Sequence, residues 1–182
     1  MKLHTERLRL SPVSIFDLDD LFRIYSDPAT NTFNPAGPCK DMAEANAILS
    51  RWLNYWEQDG FGHWTISSRN EPNRIIGFGG LSVRNCADVV INNLGYRFAT
   101  EAWGKGYATE LSQFAIKYGF TQLKLQDISA TVRPDHIISQ NVLKKSGFRY
   151  IRDIQDVDNM PPSQLFTITF DEWNVIYLSN IQ

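Results

Sequence analysis

Apolar residues along this chain switch between a period of two and a period near 3.6, and the switches lay out its elements. In "ERLRLSPV", Leu8 and Leu10 alternate with Arg7 and Arg9, the pattern of a half-buried strand. "SIFDLDDLFRIYSDP" then places Leu18, Leu21, Phe22 and Tyr25 at helical spacing, with Ser14 as N-cap and Pro28 ending the run. After the loop "ATNTFNPAGPC", Asp41 caps a second helix. Its apolar positions Met42, Ala45, Leu49, Trp52 and Trp56 step by three and four, and Gly60 marks its end. "GHWTISSR", "RIIGFGGLSVR" and "VVINNLGYRF" read as strands. "YATELSQFAIKYGF" puts Leu111, Phe114, Ala115 and Tyr118 on one helical face. "LQDISATV" is a strand, "HIISQNVLKKSGF" a helix, "FRYIRDI" and "LFTITF" two strands, and "DEWNVIYLSN" a short terminal helix.

This order predicts an α+β (mixed α/β) fold: a central twisted mixed sheet of about seven strands flanked by about four helices. The β-α-β piece around 90–132 predicts a right-handed crossover between parallel strands. No repeat, low-complexity segment or interdomain linker interrupts the 182 residues, so a single domain over 1–182 is expected.

Charge narrows the function classes. A net charge of -2 and a pI near 5.9 lack the basic excess of a nucleic-acid-binding domain. Cys39 and Cys86 form no CxxC, and His4, His63 and His136 are scattered, so no metal-ligand cluster is expected. Two free thiols point to a reducing compartment. "MKLHTERLRLSPV" is too charged for a signal peptide, and no 18-residue apolar run occurs. A cytoplasmic protein with no membrane partner is the expectation.

The chemistry concentrates in "YRFATEAWGKGYATELSQFAIKYGF". A strand hands over to a helix through Gly104 and Gly106, with small Ala108 and Thr109 behind them. A helix N-terminus carries unpaired N–H groups and a partial positive charge, so a glycine-rich entry makes an anion site. Lys105 adds a charge and Thr109 a hydroxyl. The Walker pattern GxxxxGK[ST] is absent, and "GKGYAT" supplies only half of GxGxxG. Read alone, the glycines fit either a phosphate site or a plain connecting turn.

The wider segment resembles the acetyl-CoA-binding core of the GNAT superfamily of N-acetyltransferases. In that family a strand leads into a loop of form [QR]xxGx[GA] and then a helix. Here the loop is Trp103-Gly104-Lys105-Gly106-Tyr107-Ala108, with Trp103 in the Gln/Arg position. The wording "WGKGYATE" is similar to the branch typified by ribosomal-protein N-terminal (alanine) acetyltransferases. "TERLRLSPV", "IIGFGGL", "VLKKSGF" and "FTITFDEW" look like that branch's opening strand, third strand, fourth-helix signature and last strand, so the resemblance runs over about 5–173.

The resemblance implies a GNAT fold and direct transfer of an acetyl group from acetyl-CoA to a primary amine, either a protein N-terminal α-amine or a small-molecule amine. It implies that the backbone of Gly104, Lys105, Gly106, Tyr107, Ala108 and Thr109 takes the diphosphate. Phe98, Ala99 and Thr100 would lie along the pantetheine arm, with Trp103 beside the turn. Ser139 would donate to the leaving thiolate. Two positions depart from the family wording. Asn93 stands where a Glu, a candidate base, is usual, and an amide takes no proton at neutral pH. His136 stands at the pantetheine-binding Asn position, where imidazole offers a donor and an acceptor. The acceptor pocket is expected from the loop after the first helix, the second helix and the bulged strand. Asn31, Phe33, Trp56, Trp64, Asn93 and Tyr96 are its candidates. A CoA-binding protein without catalysis is the alternative, and either a monomer or a homodimer fits.

Overall fold

The computed structural model describes residues 3–179. Met1, Lys2 and 180–182, which belong to the expected domain and include the last residue of the expected terminal helix, lie outside the described residues. In chain order the elements are β1 (Leu3–His4), β2 (Leu8–Pro12), α1 (Leu18–Tyr25), α2 (Met42–Gln58), β3 (His63–Ser68), β4 (Ile75–Cys86) and β5 (Val89–Phe98). They continue with α3 (Tyr107–Thr121), β6 (Asp127–Val132), α4 (Ile137–Lys145), β7 (Arg149–Ile154), β8 (Ser163–Thr169) and α5 (Phe170–Ser179).

The eight strands form one sheet in the order β1-β2-β3-β4-β5-β6-β8-β7. The strand beyond the expected seven is β1, only two residues long and too short to show an alternation. Pairings β1–β2, β2–β3, β3–β4, β6–β8 and β7–β8 are antiparallel, while β5–β6 is parallel, as the crossover predicts.

The described residues form two compact units, one up to Ser82 with Gly95–Leu111, the other Val83–Leu94 with the residues from Ser112 onward. In the first unit, the Ser14 hydroxyl accepts from the Phe16 N–H at 3.2 Å, and Asp17 returns a bond to the Ser14 N–H at 2.8 Å. Asp41 accepts from the Glu44 N–H at 2.8 Å and starts α2. Leu21, Ile24, Leu49, Trp52 and Phe78 make the buried core of this unit. Each such side chain contributes on the order of 1.5–3 kcal/mol by leaving water. Met42, expected on the apolar face of α2, is 39% exposed because it sits at the helix entry, ahead of the packed turns. β4 and β5 approach closely here: a Cβ on Gly79 would lie 2.6 Å from the Tyr96 Cβ.

In the second unit, Asn93 of β5 stands opposite Ser129 of β6. The Asn92 amide donates to the Asp127 carbonyl at 3.1 Å, which sets the edge of that pairing. Cys86, Ile91, Ile154 and Leu165 form its apolar cluster. Cys39 and Cys86 are both buried and in no disulfide, and the Cys39 thiol donates to the Asp41 carbonyl at 3.4 Å.

Candidate active site

The first unit holds the glycine turn. β5 ends at Phe98, and the Ala99 N–H donates to the Ile76 carbonyl at 2.9 Å. Gly104 and Gly106 have φ of 71° and 77°, the left-handed region that strains any residue with a Cβ. A Cβ at Gly104 would meet nothing within 4 Å, and one at Gly106 only the Arg7 Nη2 at 3.4 Å. Backbone conformation therefore demands glycine, and the turn faces open space. The Glu110 N–H to Gly106 carbonyl bond, 3.1 Å, runs back from α3 to its entry, so the turn precedes the helical ladder.

A brace fixes this turn from behind. Glu110 accepts from the Thr5 hydroxyl at 2.5 Å, from the Arg7 N–H at 2.7 Å and from Arg7 Nε at 2.7 Å. Arg7 Nη1 donates on to the Lys105 carbonyl at 2.8 Å, and its guanidinium sits 5.0 Å from the Tyr107 ring centre. Burial pushes the Glu110 carboxyl up, but the bonds from Thr5 and Arg7 outweigh it and hold it below the ordinary range. Two hollows flank Tyr107. One of about 260 Å³ is lined by Arg74 and Lys105 together with Glu101, the other of about 300 Å³ by Arg7 and Arg69 together with Glu6.

On β5, successive side chains leave the sheet on opposite faces. Tyr96 and Phe98 share a face, their rings 6.1 Å apart, and Phe98 reaches Tyr107 at the start of α3 at 6.5 Å. Arg97 takes the other face. Its guanidinium lies 4.2 Å from the Tyr25 ring centre, and Nη1 donates to the Asn31 Oδ1 at 2.7 Å. His63 stacks on Trp52 with ring centres 4.3 Å apart and planes 4° apart. Burial, helped by the Arg51 charge, lowers the His63 pKa to about 4, so its imidazole is neutral at pH 7.

In the second unit, Asn93 is buried, with 9% exposure. His136 precedes α4 and is half-buried; desolvation lowers its pKa against the opposing pull of Asp135. Ser139 lies in the first turn of α4 and is half-buried.

The family model described as "Acetyltransferase (GNAT) domain" matches residues 7–149. The chain is a GNAT acetyltransferase. It is 30% identical over 147 residues to "Uncharacterized N-acetyltransferase p20" of Bacillus licheniformis, covering 81% of this chain and 82% of that one. A GNAT acetyltransferase structure from Bacillus anthracis superposes with a TM-score of 0.77 at 21% identity, covering 93% of this chain and 98% of that chain. Mycobacterium smegmatis RimJ in complex with CoA-disulfide gives a TM-score of 0.70 at 23% identity, with 91% and 83% covered. Membership makes the protein an acetyl-CoA-dependent acyltransferase.

Several side chains expected at the acceptor site are buried or engaged in bonds within the protein. Trp64 is 1% exposed and fills the core, because its position on β3 faces inward. Trp56 donates its indole N–H to the His63 carbonyl at 2.7 Å and holds the start of β3. Tyr96 is on the face of β5 toward α3, not the face of α1. Asn31 is 5% exposed, and its amide nitrogen donates to the Tyr25 and Asp27 carbonyls, both at 2.8 Å. It acts on its surroundings through Arg97 rather than by an open face. Phe33 is half-buried in the loop after α1. Trp103, expected to serve the cofactor, is 51% exposed, and its indole N–H donates to the Phe98 carbonyl at 3.0 Å. Glu110, in the first turn of α3, is the centre of the brace. Arg7, Arg69, Arg74 and Arg97 were missed. "TERLRL" carried a signal for Arg7, but its partner is 103 residues away.

Proposed function

We propose that this GNAT enzyme is an N-acetyltransferase of the ribosomal-protein N-terminal type. It acetylates a primary amine, a protein α-amine or a small-molecule amine, by direct attack in a ternary complex. The single observation that carries the cofactor assignment is the left-handed pair Gly104 and Gly106, open to solvent and braced by Arg7 on the Lys105 carbonyl. These residues fit a diphosphate: the turn lacks obstructing Cβ atoms, Lys105 supplies charge, and Tyr107 opens the helix. Basic Arg69 and Arg74 line the adjoining hollows and suit further phosphate.

Acetyl-CoA, when bound, supplies the activated acyl group. The amine must be neutral, the carbonyl oxygen needs a donor, and the departing thiolate needs a hydrogen bond. Ser139 would donate to the sulfur, and His136 and the backbone of Phe98, Ala99 and Thr100 are the groups that would hold the pantetheine arm. Asn93 orients the amine or a water without taking its proton. An α-amine, with a pKa near 8, is partly neutral without help.

The test is thermal unfolding with and without acetyl-CoA, in wild type and Gly106→Trp. A ligand that binds only the native state raises its stability. An upward shift in wild type that the variant loses supports the assignment. No shift in wild type overturns it.

A further inference from the structure

The geometry points to Arg97 as the residue that selects acceptor amines carrying a carboxylate, so that the preferred substrate class is amino-acid-like. This rests on the acetyltransferase reading above with a small-molecule amine as acceptor, and adds that acceptor's second functional group. The argument begins with donors. A guanidinium carries five N–H donors and keeps its charge at all working pH values. Arg97 is half-buried, yet only its Nη1 meets a protein acceptor among the described residues, the Asn31 Oδ1 at 2.7 Å. No carboxylate pairs with it among those residues. Among the described residues Arg7, Arg23, Arg74, Arg84, Arg133, Arg149 and Arg152 each lie within 4.0 Å of one, while Arg9, Arg51 and Arg69, like Arg97, do not; what sets Arg97 apart is its seat on the Tyr25 ring and the Asn31 oxygen. Withdrawing a cation from water without a counter-ion is costly, and a ligand anion offsets the cost.

The guanidinium is also held in place. Asn31 is 5% exposed, and its nitrogen is spent on the Tyr25 and Asp27 carbonyls, which turns its oxygen toward Arg97 Nη1 and Asn34 Nδ2. The Tyr25 ring lies under the guanidinium at 4.2 Å. A planar fork fixed by one edge and one face presents its remaining edge for a two-point bond to a carboxylate. The surrounding charges agree. Burial pushes the Tyr25 phenol up, and the Arg97 and Arg51 charges pull against it. Asp41 and Glu44 accept from the Glu44 and Lys40 backbone N–H groups at the start of α2.

On this proposal the acceptor enters on the face of β5 that Arg97 occupies. Arg97 faces α1 and the loop after it, where Asn31 and Phe33 lie, whereas Tyr96 and Phe98 face α3. Lysine at this position would keep the charge and lose the fork.

The experiment compares the common amino acids with their decarboxylated amines, such as tryptophan with tryptamine and lysine with cadaverine. Binding to the protein saturated with CoA is read by calorimetry in wild type, Arg97→Gln and Arg97→Lys. The expected result is at least one pair in which wild type prefers the carboxylated member by about tenfold, the worth of one good charged contact. Arg97→Gln then loses the preference and Arg97→Lys keeps part of it. The inference is overturned if no amino acid binds more tightly than its decarboxylated partner, or if the preference survives Arg97→Gln. Stabilisation by acetyl-CoA is measured on all three proteins and shows that the variants fold. Retained stabilisation without a carboxylate preference sinks this inference alone. Absent stabilisation in wild type sinks the acetyltransferase site as well.

Discussion

Glu110 holds Arg7 twice, through the backbone N–H and through Nε, both at 2.7 Å, and Arg7 passes the restraint to the Lys105 carbonyl. A residue one turn into α3 thereby sets the shape of the loop that precedes the helix. Glu110→Gln keeps the shape of the side chain but removes its charge. We expect acetyl-CoA affinity to fall by about tenfold, the loss of roughly one charge-assisted bond. Titration calorimetry with acetyl-CoA checks this. Unchanged affinity would mean that the turn holds its shape without the brace.

Asn93 is buried on β5, and an amide is no proton acceptor at neutral pH. We expect kcat/KM for an α-amine to climb with pH up to about 8, the pKa of the amine itself. Asn93→Glu should raise activity at pH 7 by about tenfold and move the climb to lower pH. A wild-type profile that levels off below pH 6.5 would instead point to a titrating side chain, with His136 first in line.

His63 carries an acid-sensitive share of the stability. Its folded pKa of about 4 lies below the ordinary value of 6.5. Between these values the unfolded chain binds more protons, so stability rises with pH through this window and is lost as pH falls through it. The limiting contribution is on the order of 3 kcal/mol. His63→Phe keeps a ring against Trp52 and removes a buried Nδ1 that meets no hydrogen-bond partner among the described residues. The melting temperature of the variant should fall less than that of wild type between pH 7 and pH 4.5. Parallel curves would show that the burial of His63 costs nothing on acidification.

Local signals carried the elements and the cofactor turn because they are written in adjacent residues. The stepping of Leu49 and Trp52, the caps Ser14 and Asp41, and the glycines of "WGKGYATE" all act within a turn or two of chain. Side-chain partnerships were less legible. Tyr96 drew attention as an aromatic residue beside the expected pocket, yet Arg97 is the one that faces α1. A strand alternates faces with every residue, and the sequence does not say which face meets which helix. Trp64 and Trp103 show the same limit: one is buried at 1% exposure and the other is 51% exposed with its N–H on Phe98.

By itself, the sequence determined the order of strands and helices, the parallel β5–β6 crossover, the glycine turn and membership of the GNAT acetyltransferases. These follow from periodicity and short motifs, which depend on backbone sterics and local hydrogen bonding. Only the tertiary structure decided that Glu110 reaches Thr5 and Arg7, that Asn31 is spent on Tyr25, Asp27 and Arg97, and that Arg97 lacks a carboxylate among the described residues. Those contacts join residues 66 to 105 positions apart, except those of Asn31 with its own loop. Their existence depends on how packed faces meet, which no short stretch of chain specifies.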